Sequence, residues 1–242
     1  MTNDEVKTPA IKTSSASDVQ TFLDDLARVP AQAVTPGAGK GRLLFAMDAT
    51  ASREHTWDHA AEIQHAMFEA TRKIGTLHIQ LAFFRGFGEF KVTSWLNDAD
   101  EIHRLMGRVF CLAGETQIEK VLKHARNEAG RAGVRAVVYV GDCCEENADR
   151  LGAVAGELGL LGVPVFMFHE GDDAVAERTF RQIAKLTGGA YAHFDADSAE
   201  TLKHLLQAVA VFAAGGRPAL DAYALREGGA ALRLTDQMRE QG

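Results

Sequence analysis

The sequence is poor in the features that mark most specialised chains. It has no long hydrophobic run: the longest nearly apolar stretch, Leu158 to Phe168, falls far short of the roughly 18 residues that a membrane span needs. The N-terminal MTNDEVKTPA has no apolar core segment of the kind a secretory leader carries. There are only three cysteines, two of them adjacent as Cys143 and Cys144. An odd number so placed gives no disulfide framework and suits a reducing compartment. Basic residues are outnumbered, 26 against 33 acidic, for a net charge of -7; a sequence-independent grip on nucleic acid needs the opposite sign. These absences predict a cytoplasmic protein with neither a membrane nor a nucleic-acid partner.

What is present is an ordinary globular composition, 46% hydrophobic and 24% charged over 242 residues, enough for one main core. Residues 1–17 are polar and read as a flexible tail. From Ser17 to Val29 the apolar Val19, Phe22, Leu23 and Leu26 predict a short helix, and PAQAVTPGAGKG reads as a linker, so that 18–40 form a helix and linker ahead of a main domain at 41–214. Residues 215–242 read as a C-terminal extension.

The main domain alternates apolar runs with helical periods. Strands are expected at LLFAM (43–47), IQLAFF (79–84), AVVYV (136–140), VPVFMF (163–168) and AYAHF (190–194). Helical faces are marked by Ala60, Ile63, Met67 and Ile74, then by Ile102, Leu105 and Met106, Ile118, Val121 and Leu122, Leu151, Val154 and Leu158, Phe180 and Ile183, and Leu205, Val209 and Phe212. Continuous apolar strands are buried on both faces, which requires helices above and below a mostly parallel sheet. The RGFGEF stretch leaves no room for a crossover and predicts a hairpin with an antiparallel edge strand near Phe90 to Trp95. The expected fold class is therefore α/β: a doubly wound, mostly parallel six-stranded sheet with one antiparallel edge strand, Rossmann-like.

In such a sheet the loops beyond the carboxyl ends of the strands form the ligand crevice. The first strand runs into DATAS, placing Asp48, Thr50 and Ser52 there; Asp142 follows the AVVYV strand; and Thr116 precedes the helix that begins near Gln117. Taken singly, these are residues that cap helices and form turns. Together they bring two carboxylates and three hydroxyls to one rim, a donor set for a hard cation such as Mg²⁺, or Mn²⁺ or Ca²⁺, with a position left for an incoming oxygen. Other motifs point elsewhere and fail. GAGKG lacks the spacing of a phosphate loop, and His55 and His59, four apart, have no third zinc ligand at recognisable spacing. Trp57 and Trp95 read as packing, as does Cys111, while Cys143 and Cys144 read either as oxidation sensors or as small buried apolar residues.

The chain resembles a von Willebrand factor type A (VWA) domain, and Asp48, Thr50 and Ser52, Thr116 in GETQIEKVL and Asp142 in VVYVGD resemble its metal-ion-dependent adhesion site (MIDAS). The resemblance implies that Thr50, Ser52 and Thr116 touch the metal while Asp48 and Asp142 act largely through water. It implies a bacterial-type intracellular module, not an enzyme, that captures an Asp or Glu of a partner protein, with ATPases and assembly complexes as the expected kinds of partner. Departures are Thr50 where Ser is usual, Glu115 before Thr116, and Cys143 where Gly often follows. Two alternatives stand beside this reading. One is a Mg²⁺-dependent phosphohydrolase with Asp48 as nucleophile, which lacks the usual second acid because Thr50 occupies its place. The other is a metal-free structural VWA domain.

Overall fold

A computed structural model of the chain describes residues 41–53, 77–194 and 199–227. The predicted tail, helix and linker before residue 41, His55, Trp57, His59, the helical face from Ala60 to Ile74, and the chain beyond residue 227 lie outside the described residues.

The strands are β1 (Gly41–Asp48), β2 (Leu77–Arg85), β3 (Glu89–Val92), β4 (Ala136–Gly141), β5 (Val165–Glu170) and β6 (Tyr191–Phe194). They form one six-stranded sheet in the order β3-β2-β1-β4-β5-β6. All neighbours pair in parallel except β2 and β3, the hairpin that places an antiparallel strand at the edge. The expected sheet is thus the observed one. Pro164 falls just before β5 instead of within it: lacking an N–H, it contributes only its carbonyl, which accepts from Val137 N at 2.9 Å, and the strand starts one residue later.

The helices are α1 (Ala99–Met106), α2 (Ile118–Ala132), α3 (Ala148–Leu160), α4 (Ala174–Thr187) and α5 (Ala199–Glu227). Alternation along β1 divides the core. Leu43, Phe45 and Met47 face Ile102 and Met106 of α1 and Leu205, Val209 and Phe212 of α5. Leu44 and Ala46 face Ile118 and Val121 of α2, Leu151 and Leu158 of α3, and Phe180 and Ile183 of α4. The inner strands β1, β4 and β5 therefore bury both their faces, the physical reason their apolar runs are continuous, whereas the edge strand β3 buries neither fully. Helix α5 is interrupted at Gly216 (φ 68°, ψ -163°), beside the expected start of the extension at residue 215 and two residues before Pro218, and Leu220 beyond the break packs against the same core as β1.

The loops on the carboxyl side of the sheet are held against each other. The hairpin tip between β2 and β3 touches the segment before α2 so closely that a Cβ on Gly114 would lie 2.1 Å from the carbonyl oxygen of Gly86. Gly114→Ala is expected to cost about 1–3 kcal/mol, the usual toll of overpacking, and to push the Thr116 segment off the hairpin. Urea denaturation against wild type checks the stability loss.

Candidate metal site

Strand β1 is central, and the chain leaves it first toward β2 and later, on the other side, toward β4. The crevice between the carboxyl ends of β1 and β4 is the switch point at which open α/β sheets bind ligands. Asp48 is the last residue of β1 and Asp142 the first beyond β4.

Asp48 is wholly buried. Its Oδ1 accepts the backbone N–H of Thr50 at 2.8 Å, a local turn that bends the chain sharply out of the strand. Its Oδ2 has no partner, and neither has the buried Oδ1 of Asp142. Donor atoms of Asp48, Asp142 and Cys143 all lie within 4.8 Å of one another. Burial, with a smaller contribution from the Asp142 charge, raises the Asp48 pKa from 3.8 to about 6, against the opposing pull of Thr50 and Arg53.

The predicted hydroxyls fall in two places. The side chains of Thr50 and Ser52 lie 3.1 Å apart, oxygen to oxygen, on the turn after β1, Thr50 buried and Ser52 exposed. Thr116 is buried and engaged with the loop after β4. Its hydroxyl accepts the Glu145 N–H at 3.1 Å while its own N–H donates to the Glu145 carboxylate at 2.9 Å, and it also hydrogen-bonds the Glu146 side chain. Its segment is joined to the Asp48 turn through Leu112, whose N–H donates to the Ala49 carbonyl at 3.1 Å in a bridge opposite Thr50. Glu115 is exposed. The free N–H groups at the start of α2 are capped from a distance by Glu146, which accepts from Ile118 N and from Glu119 N at 2.9 Å.

Several residues that hold this site together have no sequence signal. Arg53 follows the turn and is 1% exposed. Its Nε donates to the Glu170 carboxylate at 2.9 Å, and its Nη1 to the carbonyls of Asp48 at 3.1 Å and Val140 at 3.3 Å. One guanidinium thereby ties together the carboxyl ends of β1, β4 and β5, as its planar fork of donors allows. His169, also 1% exposed, pins the other side: its Nε2–H donates to the Asp142 carbonyl at 3.2 Å, and its Nδ1 accepts from the Tyr191 hydroxyl at 2.9 Å. Burial lowers the pKa of that imidazole and keeps it in the neutral form these bonds need. In the sequence Arg53 falls in the turn after the first strand and His169 just past the strand expected at 163–168, where such side chains ordinarily read as solvated, so neither stood out.

The donor chemistry fits a divalent cation. Two carboxylate oxygens without partners at the end of a buried crevice are costly unless a proton or a metal neutralises them.

Comparison with solved structures finds this fold repeatedly. The VWA domain of SpRpn10 superposes with a TM-score of 0.57 at 11% identity, covering 69% of this chain and 94% of that one. The vWF domain of the type V pili tip protein Mfa5 from Porphyromonas gingivalis gives 0.56 at 10% identity, over 71% of this chain and 96% of that one. Proximal thread matrix protein 1 from the mussel byssus, whose structure has a zinc-occupied MIDAS motif, gives 0.57 at 14% identity, over 72% of this chain and 46% of that longer one. No family model matches the sequence, and no curated protein does. The chain therefore has the fold of a von Willebrand factor type A domain.

Two outcomes follow from the electrostatics. Between pH 4 and 6 the folded state binds the Asp48 proton more tightly than the unfolded chain does. The metal-free protein should then lose about 3 kcal/mol of stability from this group as pH rises through that window, and no more above it. Asp48→Asn should remove the slope and raise the melting temperature at pH 7.5 by about 2–4 °C per kcal/mol recovered, measured by calorimetry in chelator. Arg53→Met, which strands Glu170 and the strand-end carbonyls, should cost about 3–5 kcal/mol, read from urea denaturation.

Proposed function

We propose that this chain is an intracellular VWA-type binding module that holds a divalent cation at the ends of β1 and β4 and uses it to capture an acidic residue of a partner protein. The observation that carries this reading is the pair of partnerless buried oxygens, Asp48 Oδ2 and Asp142 Oδ1, at the switch point of the sheet. Asp48, Asp142, Thr50 and Ser52 would hold the ion, with Thr116 contributing from the third loop. An ion held by so few charged groups supplies an electrophilic position for an external carboxylate, and Mg²⁺ suits the oxygen donors. Binding, not turnover, is the activity.

The surroundings support a protein partner. Phe87, Phe110 and Leu112 are 84%, 59% and 39% exposed. All three belong to the hairpin tip and the 107–117 segment, which flank the Asp48 turn. Arg85 steadies Phe110, its guanidinium 4.1 Å from the ring centroid and its Nη1 donating to the Phe110 carbonyl at 2.9 Å. Apolar side chains around a single charged contact exclude water from it, the arrangement that makes interface hot spots strong. Among the described residues no helix is long and apolar enough to cross a membrane.

Mg²⁺ at about 100 times its dissociation constant should stabilise the wild type by about 2.7 kcal/mol by mass action. Asp48→Ala should fold, as judged by circular dichroism, yet show neither this stabilisation nor metal-dependent retention of a partner from cell extract. Calorimetric titration that detects no binding of millimolar Mg²⁺ or Mn²⁺, nor of Co²⁺, to the wild type overturns the proposal.

A further inference from the structure

The three donors that converge at the crevice are not all oxygen. Cys143 follows Asp142 directly, and its sulfur lies within 4.8 Å of the donor oxygens of both Asp48 and Asp142. Its neighbour Cys144 is turned the other way. That side chain packs in the cluster formed with α2, α3 and α4, and its Sγ donates to the Glu146 carbonyl at 3.9 Å. The loop after β4 thus sends one thiol into the crevice and one into the core.

We infer that Cys143 Sγ is a ligand of the site and makes it selective for a thiophilic divalent cation such as Zn²⁺ or Co²⁺. The inference rests on the reading of this crevice as a cation site. Two observations carry it beyond a cluster of acids: Asp48 is wholly buried with an oxygen that has no partner, and the sulfur shares its pocket. Mg²⁺ is bound through oxygen and gains nothing from the sulfur, whereas Zn²⁺ accepts thiolate and carboxylate together, with Zn–S near 2.3 Å and Zn–O near 2.0–2.2 Å. The thiol proton is released to solvent as the sulfur–metal bond forms. On such an ion the two carboxylates and the thiolate would take the place of the Thr50, Ser52 and Thr116 hydroxyls as inner ligands, and a four-coordinate ion then keeps one open position, where a partner's carboxylate would bind. The sulfur therefore changes which metal arms the site without closing the vertex that the proposed function needs.

Titration with Co²⁺, followed by its optical spectrum and by calorimetry, tests this, with Mg²⁺ titrated in parallel. The wild type and Cys144→Ser should show a sulfur-to-cobalt charge-transfer band. Cys143→Ser should lose the band and bind Co²⁺ and Zn²⁺ at least about tenfold more weakly, the lower bound for losing even an outer partner of a metal ligand, with Mg²⁺ affinity unchanged. Co²⁺ binding without the band in the wild type, or a band that survives in Cys143→Ser, overturns the sulfur ligand and leaves the oxygen site standing. Failure of the wild type to bind either Co²⁺ or Mg²⁺ overturns both. Because the band is read on the wild type itself, a variant that folds poorly does not blunt the test.

Discussion

Negative charge brought together where water cannot reach it governs the carboxyl end of this sheet. Parallel pairing of β1 with β4 brings Asp48 and Asp142 to neighbouring strand ends, their donor atoms within 4.8 Å of each other, and the Arg53 guanidinium meets the carbonyls of β1 and β4 and the carboxylate of Glu170. That single cation binds the strand ends into one frame, yet it does not saturate the carboxylates, each of which keeps a buried oxygen without a partner. The raised pKa of Asp48 expresses the same imbalance. A crevice in that state would be neutralised by a proton or by the cation proposed for it.

The surrounding loops keep the crevice from relaxing the strain by opening. His169 holds the Asp142 backbone from β5, Glu145 and Glu146 lash the start of α2 to the loop after β4, and the 107–117 segment is fastened to both the β1 turn and the hairpin. Each tie is a hydrogen bond or close backbone contact between segments distant in sequence, so the fold itself holds the donor groups in place. Preorganisation of this sort lowers the ordering cost of binding. It also leaves Phe87, Phe110 and Leu112 exposed on the hairpin tip and the 107–117 segment, which are fastened to each other and, through Leu112, to the turn after β1.

Much of the fold was legible in the sequence because burial on both faces of a parallel sheet leaves uninterrupted apolar runs, and LLFAM, IQLAFF and AVVYV lie within β1, β2 and β4. The hairpin showed itself through its glycines and the lack of space for a crossover. Asp48 and Asp142 could be found because the strand-end rule assigns them a common rim. Thr116 was harder. Its chain position pointed to the rim, but its engagement with Glu145 and Glu146 depends on how α2 abuts the β4 loop. Arg53 and His169 were invisible, since nothing in their neighbours tells a buried ligand of backbone carbonyls from a solvated side chain. Cys143 was noted as a departure from the resemblance and as either an oxidation sensor or a small packed residue; its place beside two carboxylates required coordinates.

The amino-acid sequence by itself determined the alternation of strands and helices, the antiparallel edge, and the pair of acids at adjacent strand ends, because hydrophobic periodicity and turn chemistry are local properties of the chain. Tertiary structure alone decided which oxygens lack partners, that one guanidinium clasps three strands, and which of two neighbouring thiols enters the crevice. Those outcomes depend on the direction and burial of side chains, and the folded packing sets both.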